Sequence, residues 1–187
     1  MRNKLVSWHP RAGGSLLKRI DRAAWRFIDR RARKELEPSL AATLEARRAL
    51  VSLDDAALEA RARAMRVESS VAFAFAEACA LGCEIAARSL HLDPRPSQIL
   101  AAAVLHRGGV AELPTGEGKT LAAALAAFVH ALGGRSVHVV ATNHYLASRD
   151  AAEMAPLFRF AGLTSAEVRR GAPRAEKRRI YRSSVVY

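Results

Sequence analysis

Eight consecutive residues, Leu113-Pro114-Thr115-Gly116-Glu117-Gly118-Lys119-Thr120, have the types and spacing to hold a polyphosphate. Gly116 and Gly118 lack a Cβ, so their backbone can turn left-handed and lie close against phosphate oxygens. Amides from Glu117 to Thr120 would point at those oxygens, helped by the positive end of a following helix. Lys119 would reach the terminal phosphates as a point charge, and the Thr120 hydroxyl would ligate Mg²⁺. Such a motif requires a strand before it and a helix after it. An apolar run from Val110 to Leu113 predicts the strand, and Leu121 to Leu132 predicts the helix. Leu113 stands where the general pattern has its first glycine.

The rest of the chain must position that loop. At 187 residues it is sized for one domain, or one domain with an appendage. Half the residues are hydrophobic, many of them Ala, which favours helices. The formal net charge of +12 points to a polyanionic partner (nucleotide, nucleic acid or anionic membrane) or to a solvated basic surface. Cys79 and Cys83 lie four apart in a helical pattern with no third ligand beside them, as buried reduced thiols would. No secretory signal and no apolar run of spanning length is present.

Leu17, Ile20, Ala24, Phe27 and Ile28 form an apolar stripe, with Arg19, Arg22, Arg26, Arg30 and Arg33 on another face. This basic amphipathic helix is suited to an anionic membrane surface, a partner, or docking on its own domain. Ser52-Leu53-Asp54-Asp55 predicts a capping box with Ser52 as N-cap. Residues 68–92 predict a long helix with Val71, Phe75, Ala78 and Ile85 facing the core. Asp93-Pro94-Arg95-Pro96 stops it. Everything before is helical, so the reading divides the chain into a helical region, 1–93, and a strand–helix alternation, 94–187. The second part carries a helix over 97–107, strands over 137–141, 165–168 and 184–187, a helix over 145–160 and a basic segment over 169–182. Strands alternating with helices predict a parallel α/β sheet.

From Gln98 onward the chain resembles the SecA preprotein translocase motor family. The resemblance is carried by Gln98 with Val104-Leu105-His106 and Gly108, by Thr115-Gly116-Glu117-Gly118-Lys119-Thr120, and by Val137 to Val140. Asn143, Tyr145-Leu146-Ala147 and Arg149-Asp150 complete it. Generic helicases share the glycine loop but lack the later block. A fragment of a helicase-like nucleic-acid motor is therefore the alternative, and no specific nucleic acid is expected. Pro114, His144 and Ser148 depart from the family's usual lysine, acid and basic residue.

The resemblance implies an α/β fold: an incomplete P-loop, RecA-like motor sheet preceded by a helical region. It implies ATP and Mg²⁺ as cofactors, with Gln98 reading adenine, Thr115 to Thr120 on the phosphates and Thr120 on the metal. Arg149 and Asp150 match a motor-motif loop next to that site. It further implies a protein-translocating ATPase that drives preprotein export across the bacterial inner membrane. Its partners would be the membrane channel and preproteins, its location cytoplasmic and peripheral to that membrane. Hydrolysis in this class needs an acidic strand-end motif and an arginine from a second motor domain. Neither is expected before Tyr187. The chain is thus expected to be the N-terminal portion of a longer protein, with no complete catalytic set, binding ATP without turnover.

Overall fold

The computed structural model describes residues 34–67 and 75–187. The stripe from Leu17 to Arg33, and Val71, lie outside the described residues. Helix α1 occupies residues 34–51. It is followed by α2 (Asp55–Val67), α3 (Phe75–Ser89), α4 (Pro96–His106) and α5 (Lys119–Leu132). Then come β1 (Val137–His138), α6 (His144–Phe160), β2 (Ser165–Ala166), α7 (Arg174–Ile180) and β3 (Val185–Val186). Over the described residues the fold is α/β, mostly helical, with one small parallel sheet.

Helix α5 is the centre of the molecule. Its sequence, KTLAAALAAFVHAL, combines high helix propensity with apolar residues on nearly every side. A helix apolar all round must be covered all round. Leu125, Phe128 and Leu132 are fully buried. Helix α3 lies directly against α5 and is buried without interruption from Ala78 to Ala86. Gly82 permits the approach, because a Cβ there would stand 2.9 Å from Phe128 Cδ1. One apolar cluster joins Leu58 and Met65 of α2, Ile85 of α3, Leu125 of α5, Leu157 of α6 and Val185 of β3. It draws on both sides of residue 93. Cys79 and Cys83 are free and buried in it, as expected; their contact and burial push the Cys79 thiol well above its usual range.

The sheet has the order β1–β3–β2 with both pairs parallel. Val185 faces Val137 on one side and Ser165 on the other. The expected strands are present but short. Ladder bonds extend past their ends, from Val139 N to Val186 O and from Val168 N to Tyr187 O, each 2.8 Å.

Two local expectations are corrected. Ser52 does not cap α2; its hydroxyl turns back to Ala49 O, and Asp54 Oδ1 accepts from Ala57 N at 2.7 Å instead. The stronger acceptor sits directly before the first helical residue, and capping follows that position. The second correction concerns residues 110–113, which form no strand. All three described strands pair among themselves, with β3 in the middle. No described strand lies beside 110–113 to satisfy its amides, and Pro114 offers no donor. Val110 is 62% exposed.

A charged network fastens the early helices. Glu84 of α3 is buried, yet its carboxylate accepts from Arg47 Nε of α1 at 3.1 Å and Arg88 Nε of α3 at 2.9 Å. Arg47 also reaches Asp93 at 2.6 Å, and Arg88 reaches Asp55 at 2.9 Å. A buried carboxylate is tolerable when it is paired and hydrogen-bonded in this way.

Candidate functional site: the glycine loop between α4 and α5

Helix α4 begins at Pro96, whose fixed φ suits a first helical position. Two residues on, the Gln98 side chain turns back and its Oε1 accepts from Arg95 N at 2.9 Å. Its Nε2 donates to Glu117 O at 3.0 Å, across to the loop. Gln98 is 7% exposed, so it forms the floor under the loop. Arg95 adds a second tie, its Nη1 to Glu117 Oε2 at 3.4 Å. In the sequence this arginine stands out only as part of a helix stop.

The loop closes on itself. Pro114 O accepts from Glu117 N at 3.3 Å and from Lys119 Nζ at 2.8 Å. Gly116 and Gly118 have φ of +87° and +76°, the left-handed region in which a side chain is strained. Beside Gly116 there is open space within 4 Å, whereas a Cβ on Gly118 would meet the Gln98 amide. Gly118 is the N-cap of α5, with no side-chain cap. Amides of the first turn therefore have no partner within the helix. Lys119 and Thr120 are its first two residues, Lys119 exposed and Thr120 half-buried. Thr115 and Gly116 are exposed, and Glu117 and Gly118 half-buried.

Thus Gln98, Glu117, Gly118 and Lys119 are bonded or in contact around one loop. The arrangement offers a cation, unpaired amides and the positive end of a 14-residue helix on one side. Among the described residues, no group of three or more His, Cys, Asp and Glu could hold a metal. A divalent cation here would rest on the Thr120 hydroxyl and on oxygens of its ligand. The loop fits an anion of phosphate type because Gly116 leaves room and Lys119 now donates only to a neutral carbonyl.

The block from Asn143 onward has local structural roles. Asn143 caps α6, its Oδ1 accepting from Leu146 N at 2.9 Å. His144 is the first residue of that helix. Arg149 and Asp150 are brought together, at 2.6 Å through Nη2. Ser148 hydrogen-bonds Glu167, and with Arg169 it holds the Glu167 carboxyl below the usual range.

At their far ends α4 and α5 meet through two imidazoles. His106 and His130 stack with centroids 4.7 Å apart, and Phe75 lies 5.0 Å from His106. Burial lowers both imidazoles below their ordinary value, as does the nearby Arg135.

Helices layered on a small parallel sheet, with a glycine loop opening the central helix, define an α/β domain. The family model described as SecA DEAD-like domain matches residues 23–187. The chain belongs to that family. It is 41% identical over 142 residues to the protein translocase subunit SecA of Dichelobacter nodosus, covering 74% of this chain and 16% of that protein. Against the SecA subunit of Desulforudis audaxviator it is 37% identical over 167 residues, 86% of this chain and 18% of the relative. Against that of Legionella pneumophila it is 43% identical over 112 residues, 60% and 12% of the two chains. The chain thus spans less than a fifth of the length of these relatives. No helix among the described residues is long and apolar enough to cross a membrane.

Proposed function

We propose that this chain is the ATP-binding portion of a SecA-like protein-translocating ATPase that drives preprotein export across the bacterial inner membrane. The observation that carries the reading is Lys119 at the start of α5, bonded across a loop with two left-handed glycines. Thr115 to Thr120 hold the phosphates, with first-turn amides and Lys119 neutralising their charge. Thr120 ligates Mg²⁺, which supplies charge neutralisation on the phosphate oxygens. Gln98 reads adenine. A side-chain amide has two donor and two acceptor sites; one of each serves Arg95 and Glu117, leaving one of each for a purine edge.

Residues 94–187 make up the N-terminal part of the first nucleotide-binding motor domain, and residues 1–93 the helical region that precedes it. In the whole protein the membrane channel and preproteins are the partners. An anionic surface is met through the N-terminal basic helix, placing the protein in the cytoplasm against the inner membrane. The names of the relatives support export over a nucleic-acid motor.

The chain by itself binds ATP without turning it over. Asp150 and Glu167 are engaged by Arg149 and Arg169, and Glu117 by Arg95. Turnover also needs a carboxylate at a strand end that orients the attacking water and an arginine from a second motor domain. Titration with a fluorescent ATP analogue tests the reading. Lys119→Ala removes a charge-assisted contact worth about 1.5–3 kcal/mol, so affinity should fall roughly ten- to hundredfold. Equal affinity in the two proteins would refute it. Phosphate release by the purified chain, abolished in Lys119→Ala, would refute the absence of turnover.

A further inference from the structure

At the opposite end of α5 lies a cleft of about 500 Å³ that the nucleotide reading does not use. Four arginines line it: Arg63 and Arg66 of α2, Arg135 between α5 and β1, and Arg182 between α7 and β3. Ser136 and Ser183 lie among them, with Ser136 Oγ donating to Ser183 O at 3.3 Å. Among the described residues no carboxylate lines the cleft. The arginines come from three separate segments, so the fold, and not a local charge run, assembles them.

The walls are fitted to this arrangement. Arg63 and Arg66 are three apart on one helix face. Arg66 Nη1 donates to Gly162 O at 2.7 Å, which fixes its guanidinium at the rim. Gly162 allows that approach: its φ is +67°, and a Cβ there would stand 3.1 Å from the Arg66 nitrogen. Arg135 follows directly on Gly134, whose φ of +73° ends α5 and turns the chain into the cleft's wall. Four like charges around one concavity repel one another, and an anion between them removes that repulsion. Guanidinium forks match phosphate oxygens in pairs, and serine hydroxyls add donors.

We infer that this cleft is a second anion site, taking a compact phosphate-bearing group on Arg63, Arg66, Arg135 and Arg182. It lies at the start of the parallel strands, about 20 Å along α5 from Lys119 at 1.5 Å per residue. The same chemistry is offered by a free di- or polyphosphate and by an anionic phospholipid headgroup. The competing account is that the arginines serve only the carbonyl ends of α5 and α6.

Calorimetric titration of the full chain with pyrophosphate, without nucleotide, is the test. Arg135 and Arg182 are exposed and lie on connections, so Arg135→Ser with Arg182→Ser leaves the core intact. We expect binding to weaken at least tenfold in this double variant and to persist in Lys119→Ala. The double lysine variant keeps the charge but loses the fork, and should recover only part of the affinity. A parallel arm uses phosphatidylglycerol vesicles against phosphatidylcholine vesicles. Loss of vesicle binding in the double serine variant assigns the site to a headgroup; loss of pyrophosphate binding alone assigns it to a soluble phosphate. Pyrophosphate binding abolished by Lys119→Ala and untouched by the double serine variant would place the anion on the glycine loop and overturn the proposal. Neither pyrophosphate nor vesicle binding affected by the double variant would likewise overturn it. Because the two variants lie at opposite ends of α5, failure here is distinguishable from failure of the ATP reading.

Discussion

Gln98 and Gly118 are in such close contact that a Cβ on the glycine would lie 2.1 Å from the glutamine Nε2. Gly118 also has φ +76°. Gly118→Ala therefore meets two penalties, a left-handed backbone at about 1 kcal/mol or more and a collision with a buried amide. Gly116 has a similar φ but open space beside it. We expect Gly118→Ala to lower the urea midpoint more than Gly116→Ala. Adding Gln98→Ala to Gly118→Ala should cost less than the sum of the single changes, because the collision is gone. Strict additivity in that cycle would mean that the two residues do not touch.

Glu84→Ala should be among the most destabilising single changes in the early helices. It leaves Arg47 and Arg88 without their buried partner. Breaking a buried pair costs about 3–5 kcal/mol, and the partial exposure of both arginines places this case toward the lower end. Equilibrium unfolding in urea measures it. A loss under 1 kcal/mol would show that Asp93 and Asp55 suffice for the two guanidinia.

Acid should loosen the α4–α5 contact through His106 and His130. Both have folded values below the ordinary 6.5, from burial first and then from neighbouring positive charge. The unfolded chain thus binds protons before the folded chain does. Stability is full above about pH 6.5 and falls as the pH drops through the folded values. Urea midpoints between pH 8 and pH 5 should decline in the native protein and decline less in His106→Asn with His130→Asn. Parallel curves would place the acid sensitivity elsewhere.

Asn143→Ala should cost about 1 kcal/mol through loss of the α6 cap, and Asn143→Asp should restore most of it. Thermal melts of the two variants decide this. An aspartate variant as weak as the alanine one would show that Asn143 acts through its amide nitrogen instead.

The loop and the helix after it were legible because their signals are local. Glycines at 116 and 118 followed by Lys-Thr and an Ala-Leu run admit few structures. The Cys79–Cys83 pair was legible for the same reason. What failed depended on partners. Val110 to Leu113 looks like a strand, but a strand exists only beside another, and none is described there. The capping pattern of α2 points two residues early because Ser52 and Asp54 both carry capping chemistry; the observed helix start selects Asp54. Glu84 is an acid inside the buried run from Ala78 to Ala86, a hint that a cation must reach it, but nothing nearby in sequence names Arg47. The arginine cleft was invisible for a similar reason: Arg63, Arg135 and Arg182 are neighbours only after folding.

The order of strands in the sheet also dictates an order in time. Among the described residues β1 and β2 have no ladder between them and each pairs only with β3, which follows both in the chain. On a ribosome the helices can gather around α5 while β1 and β2 wait as open edges. Their inner edges stay available to other chains until Val185 and Val186 emerge and insert between them. Late, long-range pairing of this kind is slow and prone to aggregation. For these inner edges the interval at risk is therefore set by the synthesis of the stretch from β2 to β3, and slowing translation there would lengthen it.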